Sequence, residues 1–82
     1  MRLDKFLKVS RLIKRRTIAN EACDAGKVLV NGRTARASYE VKPDDVLEIT
    51  FGTRTLKAQV LQTAEHAAKD DAGLMYEIID NE

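Results

Sequence analysis

Residues 15–37 read Arg15-Arg16-Thr17-Ile18-Ala19-Asn20-Glu21-Ala22-Cys23-Asp24-Ala25-Gly26-Lys27-Val28-Leu29-Val30-Asn31-Gly32-Arg33-Thr34-Ala35-Arg36-Ala37, and the hydrophobic period changes in their middle. Before Gly26, Ile18, Ala19, Ala22 and Cys23 recur at helical spacing and predict a helix from about Arg15 to Ala25 with that face buried. Gly26 stands where a helix needs a left-handed residue just past its end. After it, Lys27-Val28-Leu29-Val30 reads as a short strand, and Asn31-Gly32 is the preferred pair for a two-residue hairpin turn. Thr34 to Ala37 is the expected return strand.

Upstream, Leu3, Phe6 and Leu7 give one apolar stripe and predict a first helix from Arg2 to Val9, with Arg2, Lys5 and Lys8 off the stripe. Asp4 is spaced to pair with Lys8. So short a helix must be held by packing, and Leu12-Ile13 is expected to anchor the bend into the second helix.

Downstream, Lys42-Pro43-Asp44-Asp45 reads as a type I turn. Val46 to Phe51 follows as a strand with Leu47, Ile49 and Phe51 on one face, and Gly52-Thr53 makes the next turn. Arg54 to Leu61 alternates with Leu56, Ala58 and Val60 inward. The alanine-rich, charged stretch 63–73 suggests a short helix or loop, and Leu74 to Ile79 a last strand with Leu74, Tyr76 and Ile78 on one face. Two helices followed by four or five short strands predict an α+β domain, the helices packed on a small antiparallel sheet. The expected organisation is one domain over 1–82, with a core at 2–50 and an acidic strand extension at 51–82.

Charge is divided along the chain. The first 36 residues carry ten basic against three acidic side chains, a balance of about +7, and the remaining 46 carry four against ten, about −6. The formal net charge of +1 hides that split. A polyanion would be drawn to one end of such a molecule and repelled by the other, the footprint of a nucleic-acid binder that docks by one face. Lys14, Arg15 and Arg16 sharpen the point, because they crowd a helix N-terminus, where the macrodipole disfavours cations by some tenths of a kcal/mol each. Free backbone N–H groups beside three cations are what a phosphate site needs.

Catalytic chemistry is poorly represented. A chain of 82 residues buries only about 60% of its unfolded surface and leaves little room for an enclosed cavity. Cys23 is the only cysteine; with one distant His66 it makes neither a disulfide nor a zinc site, so no metal and no cofactor are expected. The carboxylate pairs Asp44-Asp45 and Asp70-Asp71 sit in turn-like contexts, and no nucleophile constellation, Walker loop or dinucleotide fingerprint occurs. The reading is not an enzyme. No apolar run approaches the roughly 20 residues of a membrane span, and no signal-peptide core is present, so no membrane association and a cytoplasmic location are expected.

The block Arg2-Leu3-Asp4-Lys5-Phe6-Leu7, the helix start Lys14-Arg15-Arg16-Thr17, the run Gly26-Lys27-Val28-Leu29-Val30-Asn31-Gly32 and Lys42-Pro43-Asp44-Asp45-Val46-Leu47 appear in that order. Together they resemble the RNA-binding domain named after small-subunit ribosomal protein S4, over residues 2 to about 50. One departure is Asp44, where that family usually has Gly. The resemblance implies an αL-shaped pair of helices against a small sheet, with the helical face and first hairpin binding structured RNA. The opening through Thr17 further resembles the bacterial RqcP group of ribosome-associated quality-control factors and, more distantly, the heat-shock protein fifteen group. This implies a ribosome-associated monomer on the obstructed large ribosomal subunit, touching ribosomal RNA and peptidyl-tRNA and supporting alanine tailing by an RqcH-type tailing factor. The RNA contacts it implies include Arg2 and Arg16; charge and position add Lys5, Lys14, Arg15, Lys27, Asn31, Arg33 and Arg36.

Three rival readings stand beside it. One is another structured-RNA role in ribosome assembly or translation regulation, which the same basic face would serve. Another is a helix-turn-helix DNA binder using the second helix, which the apolar Ile18, Ala19, Ala22 and Cys23 leave short of base-reading side chains. The third is an RNA-modifying enzyme, for which no catalytic domain is present.

Overall fold

The computed structural model describes residues 1–63 and 74–81, so the alanine-rich stretch with His66 and Asp70-Asp71 lies outside the described residues. The first helix, α1, spans Leu3–Val9, and Leu3, Phe6 and Leu7 are completely buried along its inner stripe. Each such side chain contributes about 1.5–3 kcal/mol over leaving it in water, which is what holds seven residues helical. Arg2 is the N-cap, with extended backbone and no side-chain cap. The orphan N–H groups find carbonyls elsewhere: Leu3 N–H donates to Tyr39 O at 2.8 Å and Asp4 N–H to Ala37 O at 3.1 Å.

That cap changes the expected hairpin. β1 is Val28–Val30 and β2 only Arg33–Thr34, not Thr34 to Ala37. After one further bond from Ala35 N–H to Val28 O (3.2 Å), the chain leaves β1 and gives its carbonyls to α1. Ala35 and Ala37 are buried on the way.

Ser10 to Arg15 turn the corner into α2, Arg16–Asp24. Arg11 takes a left-handed φ of 64°, Ile13 N–H donates to Leu7 O at 3.0 Å, and the Ile13 side chain is buried as the anchor. α2 packs through Ala19 and Cys23, whereas Ile18, expected inside, is 49% exposed. Successive residues on a helix are about 100° apart, so the small pair that lets α2 lie close to the core carries the neighbouring Ile18 to the rim.

The sheet has five antiparallel strands in the order β2-β1-β3-β4-β5, with β3 at Val46–Phe51, β4 at Arg54–Val60 and β5 at Tyr76–Asn81. Leu47 and Ile49 of β3 and Ala58 and Val60 of β4 are buried with Val28 and Val30 of β1, while Phe51 runs past the core to the hairpin tip and is exposed. The last strand corrects a second expectation. Met75, just before β5, fills the core, and Leu74 and Ile78 are exposed. β5 is an edge strand, and its register with β4 shifts between Lys57 and Ala58.

The Lys42–Asp45 turn closes through Asp45 N–H to Lys42 O at 3.1 Å, but Asp44 has φ 77°, which a type II turn requires and a type I turn does not. Asp tolerates that conformation better than most residues, so the turn forms without Gly. Gly26 (φ 75°) and Gly32 (φ 82°) sit left-handed as well. An added Cβ would meet only Thr34 Cγ2 at 3.9 Å beside Gly26 and nothing beside Gly32, so the constraint is conformational rather than steric. Gly32→Val is therefore expected to cost about 1–3 kcal/mol, read as a lower Tm in thermal unfolding; an unchanged Tm would contradict the left-handed turn.

Candidate nucleic-acid interface

Asp4 organises the basic helical face. Rather than pairing with Lys8, its buried carboxylate accepts hydrogen bonds from Arg2 Nε (3.2 Å) and Nη2 (3.3 Å), Arg16 Nη2 (3.4 Å), Asn20 Nδ2 (3.3 Å) and the Lys5 backbone N–H (2.8 Å). One carboxylate thus draws an arginine from the α1 cap and one from the α2 start onto the same patch. Both guanidiniums stay about half exposed, so their remaining N–H groups face solvent. A shallow depression lined by Asp4, Arg16, Thr17, Asn20 and Glu21 opens beside them. Arg15, the α2 N-cap, makes no side-chain cap bond, and no acidic residue lies in the first turn of α2.

A second basic feature lies on the hairpin side. A groove of about 670 Å³ is bounded by Asn31, Arg33, Ala35, Arg36, Ser38 and Tyr39. Its walls are fixed from below by Asp45, another buried carboxylate, which accepts from Asn31 Nδ2, Tyr39 Oη and Lys42 N–H, each at 3.0 Å. Asn31 returns a bond by accepting Val46 N–H on Oδ1 at 2.9 Å. Its amide therefore ties the hairpin turn to the start of β3, and one of its two N–H donors is committed to Asp45.

Both aspartates are held below their usual 3.8. Burial pushes each up, but hydrogen bonds from Arg2, Asn20 and Arg16 at Asp4, and from Lys42 N–H, Asn31 and Tyr39 at Asp45, outweigh it. A depressed folded-state value means the unfolded chain binds protons more readily. The resulting stability is present above pH 3.8 and is lost as pH falls through the lower folded values. Thermal unfolding from pH 7 to pH 2 is expected to show Tm dropping steeply below about pH 4, with a shallower fall in Asp45→Asn.

Of the residues singled out in the sequence, Arg2, Lys14, Arg15, Arg16, Lys27, Asn31, Arg33 and Arg36 are exposed, and Lys5 is half-buried. The structure brings Arg2 and Arg16 together at Asp4, and Arg33 and Arg36 together with Asn31 along the groove. Lys27 stands at the other end of β1 from Asn31, so these two occupy separate parts of the hairpin. Asp4 and Asn20 escaped the sequence reading as positioning residues, as did Ser38 and Tyr39 as groove walls. The one available signal was the place of Asp4 between Leu3 and Leu7, at the border of a buried stripe. Cys23 is buried, and that burial, helped by Asp4 and Asp24, pushes its thiol up to about 11, so it stays protonated and is no nucleophile. No helix among the described residues is long and apolar enough to cross a membrane.

The S4 domain matches residues 1–47. The RQC P-site tRNA stabilizing factor of Streptococcus pneumoniae is 52% identical over 79 residues, covering 96% of this chain and 90% of that protein. Its Bacillus subtilis counterpart is 50% identical over 82 residues, covering 100% and 95%. Among solved structures, Vibrio cholerae heat shock protein 15 superposes with a TM-score of 0.88 at 25% identity, covering 95% of this chain and 80% of that one. The solution structure of the hypothetical protein HP1423 gives 0.83 at 33% identity over the whole of both chains. The N-terminal helices and the hairpin thus fall within the matched domain, and the chain belongs to the S4 domain family and, within it, to the family of RQC P-site tRNA stabilizing factors.

Proposed function

We propose that this protein is an RNA-binding factor, not an enzyme, that holds tRNA in the P site of an obstructed large ribosomal subunit during ribosome-associated quality control. The observation that carries the reading is the Asp4 cluster, which presents Arg2 and Arg16 as one exposed, fixed pair of guanidiniums. Such a pair fits adjacent phosphates where two RNA strands approach, as ribosomal RNA and peptidyl-tRNA do. Full-length similarity to proteins named for P-site tRNA stabilisation supports that choice over assembly or regulation. In the same reading Lys5, Lys14, Arg15, Lys27, Arg33 and Arg36 add phosphate attraction, while Asn31 fixes the hairpin and offers its remaining N–H. The factor acts as a monomer and supports C-terminal alanine tailing by an RqcH-type partner.

Sucrose-gradient cosedimentation of the tagged protein with purified large subunits carrying peptidyl-tRNA tests this. With about four to six phosphates contacted, log affinity is expected to fall with log salt at a slope of roughly −3 to −5. Equal binding to empty subunits, a flat salt dependence or a preference for duplex DNA would overturn the reading.

A further inference from the structure

The hairpin groove is built differently from the helical cluster, and the difference points to a different kind of contact. The Arg2–Arg16 patch is charged and open. The groove instead combines two arginines with an apolar floor and an aromatic ring that cannot swing away: Tyr39 packs on the core, and its hydroxyl is tied to buried Asp45 at 3.0 Å. Ala35 is buried beside it, and Arg33, Arg36 and Ser38 are exposed along the walls. A duplex backbone needs only the arginines. A fixed ring next to cations and short polar groups has the parts that grip an unstacked nucleotide: a face for the base, guanidiniums for its phosphate, and the Ser38 hydroxyl with the spare Asn31 N–H for the base edge. A volume of about 670 Å³ is ample for one nucleotide.

We infer that the groove between β2 and the 35–39 segment receives a single unpaired nucleotide of the bound RNA, its base against Tyr39 and its phosphate between Arg33 and Arg36. This rests on the RNA-binding reading and adds a base-contacting subsite to it. The second basic patch then does more than add charge. It selects RNA with a base free of its stack, as at a loop or bulge.

Backbone-amide NMR titration of the full chain with uridine and adenosine monophosphates, against inorganic phosphate, tests the inference. Nucleotides are expected to shift Asn31, Thr34, Ala35, Arg36, Ser38 and Tyr39 beyond anything inorganic phosphate does, while Thr17 and Asn20 at the helical cluster respond alike to nucleotide and to phosphate. Inorganic phosphate is expected to bind at least about fivefold more weakly. Arg36→Glu, an exposed position whose reversal leaves the core alone, is expected to weaken nucleotide binding at least about tenfold, and Glu77→Lys on exposed β5 to leave it unweakened. Nucleotide and phosphate acting alike, or shifts centred on the helical cluster, would overturn the subsite. Loss of peptidyl-tRNA specificity in cosedimentation with the nucleotide shifts intact would instead sink the ribosomal reading and leave the groove standing.

Discussion

Arg16→Gln is expected to reduce association with peptidyl-tRNA-bearing large subunits at least tenfold, a loss of about 1.4 kcal/mol or more, while the protein stays folded. Glutamine keeps a donor for Asp4 but removes the charge that meets phosphate. Arg2→Gln is expected to behave alike, because both guanidiniums rest on one carboxylate. Charge reversal is a harsher test: a glutamate at either position would face buried Asp4, so Arg16→Glu must be compared at matched folded fraction. The choice of control also follows from the structure. Glu48 lies opposite Lys57, with Oε1 3.3 Å from Nζ, so Glu48→Lys would oppose two cations across β3 and β4. Glu77→Lys on exposed β5 avoids this and is expected to leave association unweakened. If Arg2→Gln and Arg16→Gln both bind like wild type, the helical face is only a solvated surface.

The largest expected effect on folding belongs to Asp45. Asp45→Ala strips the acceptor from Asn31, Tyr39 and the Lys42 N–H together, beneath the turn that enters β3. Leaving such donors without a partner is expected to cost about 3 kcal/mol or more. For a domain of this size that is a fall in Tm of at least about 12 °C. Asp45→Asn retains one acceptor oxygen and is expected to lose roughly half as much. Circular dichroism melts of the two variants measure both values. A loss under about 1 kcal/mol for the alanine variant would mean that water replaces the carboxylate and that the groove walls are not held from below.

The two aspartates also show where sequence reading reached its limit. Helix positions, the hairpin turn and the α+β class follow from periodicity and turn chemistry, which are local, whereas the strand order β2-β1-β3-β4-β5 does not follow from them. Asp4 and Asp45 are legible only as charged residues near a stripe or in a turn. That each is a buried acceptor depends on donors 12 to 16 residues away at Asp4, and on Asn31, 14 residues away, at Asp45. Ile18 was misplaced because apolar spacing cannot tell which of two adjacent residues lies on the contact line, and the close approach of Ala19 and Cys23 decided it. At the last strand the apolar residues 74, 75, 76, 78 and 79 fit either face, and only the structure shows that Met75, just before β5, is the one inside. Among the proposed contacts, Asn31 was chosen for its basic neighbours, whereas its amide serves mainly to fasten the turn to β3.

The strand order β2-β1-β3-β4-β5 has a consequence for how the molecule arrives at its target. It puts Arg33 at one edge of the sheet and Glu77 at the opposite edge, across a body whose longest extent is 29 Å. Such an arrangement is an electric dipole. In the field of a large polyanion it experiences a torque as well as a pull, and it rotates basic edge first before any atom touches. The acidic edge strand β5 therefore acts at a distance, as the tail of a compass needle does, by shortening the orientational search.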